Sequence, residues 1–160
     1  MALPHALGSL TPCEAVADAL YRALSGMDHN DAAMFESAFA GQDATMELRD
    51  GSGAPPFEGF SAIKANVFAF VSRLDTTHLM SNVRVHFRDE DNASLTAVAM
   101  AQHAPSGRGK EPAGPKYLAG AEYKAELVRA RADGVWKMKT WAVEVTWAQG
   151  DASVMALPTC

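Results

Sequence analysis

The chain has 160 residues, of which 48% are hydrophobic and 21% are charged, and its formal net charge at pH 7 is -5. This length and composition suit one globular domain with a hydrophobic core. The chain carries no stripe of basic residues, and its charge is negative, which argues against a nucleic-acid partner. We therefore expect a single domain that does not bind nucleic acid.

The two cysteines, Cys13 and Cys160, lie near opposite ends of the chain and lack the spacing of metal ligands. We therefore expect neither a disulfide framework nor a metal site, and a reducing, cytoplasmic location. No apolar run approaches the roughly 20 residues that cross a bilayer. The first ten residues do not resemble a signal peptide, so we expect no contact with membranes.

The first third of the chain favours helices. Thr11, Pro12 and Glu14 form a helix start, in which the threonine caps and the glutamate completes a capping box. Apolar residues then recur at helical spacing, and we expect this first helix to end near Gly26. A second, short helix is predicted from about Asn30.

A strand and a third helix follow. Residues 44–49 alternate between apolar and polar side chains, which predicts a strand. Residues 50–56 contain the glycines and prolines of a loop. Ser61 is predicted to cap a third helix, since apolar residues at helical spacing follow it.

The second half of the chain is rich in strand-forming residues. We predict four strands, at residues 77–87, 93–104, 116–131 and 135–147, with a polar loop at residues 105–115. Helices followed by a run of strands are typical of an α+β domain with a mainly antiparallel sheet. We expect an N-terminal arm at residues 1–9, a single domain at residues 10–149 and a C-terminal tail at residues 150–160.

Two neighbouring predicted strands each have one face made mostly of alanine. On that face lie Ala97, Ala99, Ala101 and His103 of one strand, and Tyr117, Ala119, Ala121, Tyr123 and Ala125 of the next. Small side chains leave space above a sheet, and a few polar groups among them favour a ligand cavity. In the alternative, the helices approach closely and large side chains such as Phe35, Phe39 and Phe70 fill that space.

Six local features occur in an order that resembles a known family. They are Asp28 within residues 27–31 (MDHND), residues 57–63 (FEGFSAI), Thr77 with His78, His103, residues 133–137 (DGVWK) and Trp147. This order resembles the SnoaL-like proteins of the nuclear transport factor 2-like superfamily, and scytalone dehydratases in particular. The resemblance implies a cone-shaped fold with a cystatin-like, curved, mixed but mainly antiparallel sheet. Three helices would cover this sheet and enclose a pocket.

The resemblance also implies roles for three residues. In scytalone dehydratases an aspartate–histidine pair and a second histidine carry out the acid–base chemistry. By position, Asp28 matches the aspartate, His78 matches its histidine partner and His103 matches the second histidine. These three are the predicted catalytic residues, and the resemblance implies neither a metal nor a cofactor.

The residues expected around the substrate differ from that family pattern. Met27 stands where a tyrosine is expected, and no tyrosine occurs near Leu48. Tyr123 and Ala125 stand where a serine and an asparagine would hold the substrate. Retained acid–base residues beside an altered binding site predict a related mechanism on a different substrate.

The chemistry of these side chains defines the predicted reaction class. Histidine titrates near neutral pH, and a buried carboxylate at Asp28 would fix the tautomer of His78 and stabilise its cationic form. His78 would take a proton α to a carbonyl, while His103 or a tyrosine protonates an enolate oxygen or a leaving hydroxyl. We predict a cofactor-free lyase or isomerase, meaning a dehydratase, a double-bond isomerase or a cyclase.

The predicted substrate is a small, hydrophobic, carbonyl-containing metabolite, polyketide-like or terpenoid-like, of secondary metabolism. Seven residues on the expected pocket wall are predicted to contact it: Tyr123, Tyr117, Phe35, Met80, Ala101, Ala121 and Trp141. We also expect a homo-oligomer, either a dimer or a trimer. Val143 and Val145, or Ala142 on the other parity, are the predicted outward residues of the last strand.

Each predicted catalytic residue also has a structural interpretation. Asp28 could simply cap a turn, and Asp31 is its main rival as the partner of a histidine. His78 could be a strand histidine bonded to the backbone, and His103 could lie at the surface. His86 shares strand parity with His78 but is expected to be exposed. A non-catalytic binding or dimerisation module of the same fold therefore stays open.

Overall fold

The computed structural model describes residue 5 and residues 7–156. The helices are α1 (Pro12–Asp28), α2 (Ala32–Ser37) and α3 (residues 60–71, with a π-helical centre at Lys64–Phe68). The strands are β1 (Thr45–Arg49), β2 (Phe57–Glu58), β3 (Asp75–Phe87), β4 (Asn92–Ala104), β5 (Tyr117–Arg129) and β6 (Trp136–Gly150). Cys160 and parts of the predicted arm and tail lie outside the described residues.

The strands form one six-stranded sheet in the order β2-β1-β6-β5-β4-β3. Strand β1 runs parallel to β6, and every other pair of neighbouring strands is antiparallel. This confirms the predicted α+β fold, with a mixed, mainly antiparallel sheet and three helices. No helix in the part of the chain that the structure describes is long and apolar enough to cross a membrane.

Helix α1 begins as predicted but ends two residues later than predicted. Thr11 and Glu14 form the capping box, and Pro12 occupies the first turn. Gly26 does not end the helix, because its lack of a side chain serves packing instead. A Cβ at Gly26 would lie 2.7 Å from the backbone nitrogen of Phe35, so α1 and α2 meet there in close contact. The helix therefore continues to Asp28, which becomes its last residue.

Helix α3 begins at a glycine rather than at the predicted serine cap. Gly59 precedes the helix with φ of 83°, a left-handed conformation that glycine adopts without a steric penalty. Ser61 lies inside the first turn, where its hydroxyl oxygen accepts a hydrogen bond from the side chain of Gln42. The prediction of Ser61 as the cap was therefore wrong, because the preceding glycine already sets the direction of the chain.

A bulge in β3 changes which side chains face inward. Between Ser81 and Arg84 the pairing with β4 shifts by one residue, at Asn82, whose φ is 52°. An extra residue reverses the alternation of side chains along a strand. His78, before the bulge, faces the helices, whereas His86, after it, is exposed. The prediction that the two histidines share strand parity was therefore wrong, although His86 is exposed as expected.

The structure decides between the two parities that the sequence left open for β6. Val143 and Val145 line an internal cavity, so they are not the outward residues of this strand. The exposed apolar side chains on the outer face of the sheet are Leu79, Val98, Met100 and Trp147. The predicted homo-oligomer stays a prediction.

Aromatic side chains fill one part of the space between helices and sheet. The ring of Phe35 lies 4.9 Å from that of Phe39 and 5.0 Å from that of Phe68, measured between centroids. Phe60 and Trp141 extend this cluster toward the sheet. Phe35 and Phe39, two of the three large residues of the alternative interpretation, therefore pack the part of the space that adjoins α2 and α3.

A buried arginine joins α1 to the end of α2 and the start of β6. Arg22 is 3% exposed and pairs with Asp18, one helical turn earlier, at 2.7 Å. Its guanidinium also donates to the carbonyl and hydroxyl oxygens of Ser37, and to the carbonyl oxygen of Trp136 at 2.6 Å. One side chain therefore satisfies the carbonyl at the end of α2 and the carbonyl at the start of β6.

Replacing this arginine should destabilise the fold. Arg22→Met keeps much of the side-chain length but leaves Asp18 and two buried carbonyls without their donor. We expect a loss of about 3 kcal/mol in the free energy of unfolding, measured by urea denaturation. Arg49→Met is the control, since Arg49 makes only exposed ion pairs and should change stability little. Equal effects of the two substitutions would contradict this account.

Candidate active site

A carboxylate at the end of α1 holds a histidine on β3. One oxygen of Asp28 lies 2.6 Å from Nδ1 of His78, and the other accepts the backbone N–H of His78 at 2.9 Å. Both side chains are largely buried, and that of His78 is 6% exposed. Because a carboxylate only accepts hydrogen bonds, Nδ1 carries the hydrogen. In the neutral ring the free lone pair is therefore on Nε2.

The second predicted histidine lies beside the first. The ring centroids of His78 and His103 are 5.4 Å apart, and His103 is 4% exposed. Its Nδ1 lies 2.8 Å from the hydroxyl oxygen of Thr76. Burial lowers the pKa of His103 to about 4, with a further lowering from the positive charge of His78 and a partial offset from Asp28. His103 is therefore neutral near neutral pH.

Both histidines line an internal cavity of about 160 Å³. Its walls are formed by alanines of β4 and β5, namely Ala99, Ala101, Ala119 and Ala121, as the alternation of small side chains predicts. A larger groove of about 540 Å³ lies against the outer face of β3 and β4, where Leu79 and Met100 contribute to it. That groove includes neither histidine, so the smaller cavity is the candidate site.

Five of the seven predicted substrate contacts line this cavity: Tyr117, Tyr123, Ala101, Ala121 and Trp141. Phe35 and Met80 do not line it. Phe35 is fully buried among the other phenylalanines, and the side chain of Met80 packs against the hydrophobic core. The roles of the five lining residues in binding stay predictions.

The cavity also has walls that the sequence analysis did not assign to it. They are mostly apolar and come from every layer of the fold: Met27, Met46, Leu48, Asp50, Val67, Val71, Val143, Val145 and Met155. Val143 and Val145 lie two and four residues after Trp141 on β6, so strand alternation places all three on the same face. Met155 belongs to a short 3₁₀ turn, Ala152–Met155, that no sequence pattern connects to the cavity.

Tyr123 and Trp141 bring hydrogen-bond donors to the apolar wall. Burial, together with the negative charge of Asp28, raises the pKa of Tyr123, so its hydroxyl stays protonated. The Trp141 ring meets that of Tyr123 edge to face, with centroids 5.4 Å apart. Among the described residues, Nε1 of Trp141 is the one fully buried side-chain nitrogen or oxygen without a hydrogen-bond partner.

Asp31, the other aspartate considered as a partner of His78, lies at the start of α2. Asp31 caps α2 by accepting the backbone N–H of Met34 at 2.9 Å, and its other oxygen lies 3.3 Å from Nε2 of His5. It is therefore Asp28, not Asp31, that meets His78. Within residue 5 and residues 7–156, no three histidine, cysteine or acidic side chains form a cluster that could hold a metal ion.

The low pKa of His103 should appear as a pH dependence of stability. In the unfolded chain this pKa is near its ordinary value of 6.5, and in the fold it is about 4. Between these values the unfolded chain binds more protons. The stability that a neutral His103 contributes is therefore complete above about pH 6.5 and is lost as the pH falls toward 4.

That loss is on the order of 3 kcal/mol for a shift of this size. We expect urea denaturation between about pH 7 and pH 4 to show this loss in the free energy of unfolding for the wild-type protein but not for His103→Gln. An equally steep pH dependence in both proteins would contradict the assignment to His103.

This chain is similar in sequence to a known family and to a fungal protein. A profile of the SnoaL-like domain family matches residues 9–142. Terrestric acid biosynthesis cluster protein E of Penicillium crustosum is 37% identical over 158 residues, which cover 96% of this chain and 98% of that protein.

Solved structures share the fold at low sequence identity. A candidate scytalone dehydratase from Novosphingobium aromaticivorans superposes with a TM-score of 0.70 at 21% identity, covering 86% of each chain. A hexachlorocyclohexane dehydrochlorinase from Novosphingobium barchaimii gives a TM-score of 0.66 at 21% identity, covering 91% of this chain and 94% of that one. By its family profile, its 37% identical relative and its fold, this chain belongs to the SnoaL-like family.

Proposed function

We propose that this protein is a cofactor-free acid–base enzyme of the lyase or isomerase type, acting as a dehydratase, a double-bond isomerase or a cyclase. The observation that carries the proposal is the Asp28–His78 pair at the wall of an alanine-lined cavity, with His103 beside it. Such a cavity binds a small hydrophobic molecule, and such a pair moves protons. The three reactions share one first step, so one site serves each of them.

The first step is removal of a proton from the carbon next to a carbonyl. Nε2 of His78 has no hydrogen-bond partner among the described residues. It is not fully buried, and its ring lines the cavity, so it is accessible to a substrate there. As the ring takes the proton, it becomes positively charged. The Asp28 carboxylate, 2.6 Å from Nδ1, stabilises that charge between two largely buried side chains.

The electron pair left by that proton moves to the carbonyl oxygen and forms an enolate. Neutral His103 still carries one ring N–H, and Tyr123 keeps its hydroxyl hydrogen near neutral pH, so each can donate a hydrogen bond to a developing oxygen anion. In a dehydration, the enolate then expels a β-hydroxyl group, which leaves as water with a proton from a donor. In an isomerisation, the proton on His78 returns to a different carbon.

The cavity and the relatives together support the substrate class. Apart from the histidines and tyrosines, its walls are chiefly alanine, valine, leucine and methionine, which suit a carbon skeleton with few polar groups. The Penicillium crustosum relative is named for a biosynthesis cluster, which supports a role in secondary metabolism. We propose that the substrate is a polyketide-like or terpenoid-like carbonyl compound. We also propose that the enzyme is a homo-oligomer located in the cytoplasm.

A non-catalytic binding module of the same fold is the alternative. It would be favoured by a cavity packed shut, or by histidines that point to the surface. The cavity is open and both histidines line it. The Asp28–His78 pair also ties α1 to β3, but the placing of its ring at the cavity wall beside His103 favours the enzyme over a carrier.

Removing the pair should abolish proton transfer. With a panel of cyclic ketones starting from β-tetralone, wild-type protein should speed the exchange of α-protons into deuterium oxide, followed by NMR. Asp28→Asn and His78→Gln should each lower that rate by about 100-fold or more. The control is His86→Gln, an exposed residue on the same strand. The proposal fails if His78→Gln exchanges protons as fast as wild type, or if wild type accelerates none of the ketones.

Filling the cavity tests binding separately from chemistry. Ala121→Leu adds three carbons to the alanine wall, so β-naphthol, an uncharged aromatic probe, should bind at least about tenfold more weakly. Ala142→Leu is the matched control, since Ala142 lies outside the cavity on the neighbouring strand β6. Fluorescence titration gives both dissociation constants. Equal weakening by the two substitutions would place the ligand outside this cavity.

A further inference from the structure

His103 has a protein partner on the adjacent strand. Thr76 and His103 stand directly opposite each other in the antiparallel pair of β3 and β4. The Thr76 hydroxyl oxygen is 2.8 Å from Nδ1 of His103, and this threonine is half-buried. Threonine is β-branched and therefore stiff at its first side-chain torsion, so its hydroxyl is held in place before a substrate arrives.

The residue before Thr76 fixes the start of β3. Asp75 accepts the backbone N–H of Gly107 at 3.2 Å and that of Gly109 at 2.7 Å. Both glycines belong to the loop that follows β4, only a few residues after His103. The ends of β3 and β4 are therefore tied together next to the Thr76–His103 pair, which keeps the hydroxyl and the ring in register.

A neutral histidine carries one ring hydrogen, on either Nδ1 or Nε2. If Nδ1–H donated to Thr76, the lone pair of Nε2 would face the cavity, as it does in His78. The site would then hold two bases side by side. If the Thr76 hydroxyl donates to Nδ1, the hydrogen is on Nε2. The cavity then has a proton acceptor at His78 and a proton donor at His103, with ring centroids 5.4 Å apart.

Nε2 of His103 is free for this task. It has no hydrogen-bond partner among the described residues, and it is not fully buried. The hydroxyl of Thr76 likewise has no second hydrogen-bond partner in the described part of the chain. Donation to Nδ1 therefore satisfies the Thr76 hydrogen and leaves the Nε2–H facing the cavity.

We propose that Thr76 is a positioning residue that donates its hydroxyl hydrogen to Nδ1 of His103 and so holds His103 as an Nε2–H donor to a substrate oxygen. This deepens the proposed function and rests on it for the catalytic consequence. The tautomer itself is a property of the free protein and needs no substrate.

The direct test is NMR of the nitrogen-15 labelled histidine rings near pH 7, in wild-type protein, Thr76→Val and Thr76→Ser. The valine keeps the shape of threonine without the hydroxyl, and the serine keeps the hydroxyl. In wild type and in Thr76→Ser, Nε2 of His103 should carry the hydrogen. Nδ1 should show the nitrogen-15 chemical shift of an unprotonated ring nitrogen that accepts a hydrogen bond. In Thr76→Val we expect a measurable share of the other tautomer. His103→Gln assigns the signals.

The same variants separate positioning from structure in the exchange assay. Thr76→Val should lower the turnover rate by about tenfold, the worth of one hydrogen bond in the transition state, with little change in KM. Thr76→Ser should restore most of the rate. A hydrogen on Nδ1 of His103 in wild type would overturn the inference, as would a valine variant with unchanged tautomer and rate. Absent turnover in wild type would instead count against the proposed function, and the tautomer result would still stand.

Discussion

The hydrogen bonds between Asp28 and His78 connect the end of α1 to β3 and orient the His78 ring at the cavity wall. The carboxylate is the last residue of α1, and it accepts both the ring N–H and the backbone N–H of a residue on β3. Breaking this contact would leave a largely buried charge without its partners, which is costly. The helix end, the strand position and the ring orientation are therefore fixed together, and Nε2 is left for a ligand.

The space in front of that pair exists because large and small side chains are separated. Phenylalanines fill the region between α2, α3 and the sheet, whereas alanines of β4 and β5 leave the neighbouring region open. The packed core and the cavity that the sequence offered as alternatives thus occur together, in different parts of the same interior. The two histidines lie on the open side, where burial keeps His103 uncharged and the carboxylate of Asp28 accepts the Nδ1–H of His78.

Much of this was accessible from the sequence, because strand alternation and capping residues act locally. The alanine faces, the start of α1 and the order of elements follow from such patterns. What the sequence could not reveal depends on tertiary contact. Gly26 permits a helix crossing rather than an end, and the bulge at Asn82 turns His86 outward. Met155 reaches the cavity only because the chain folds back after β6. Phe35 and Met80 do not line the cavity, because alternation and spacing do not reveal how far a side chain lies from it.

The most direct test of the central claim is a crystal structure of the protein with β-naphthol, a flat phenol that resembles an enol. The account predicts the ligand in the alanine-lined cavity, with its oxygen or the adjacent ring carbon within about 3.5 Å of Nε2 of His78 or His103. It also predicts that Asp28 keeps its bond to Nδ1 of His78 when the ligand is bound. A ligand bound elsewhere on the chain, with this cavity closed, would contradict the assignment of the site.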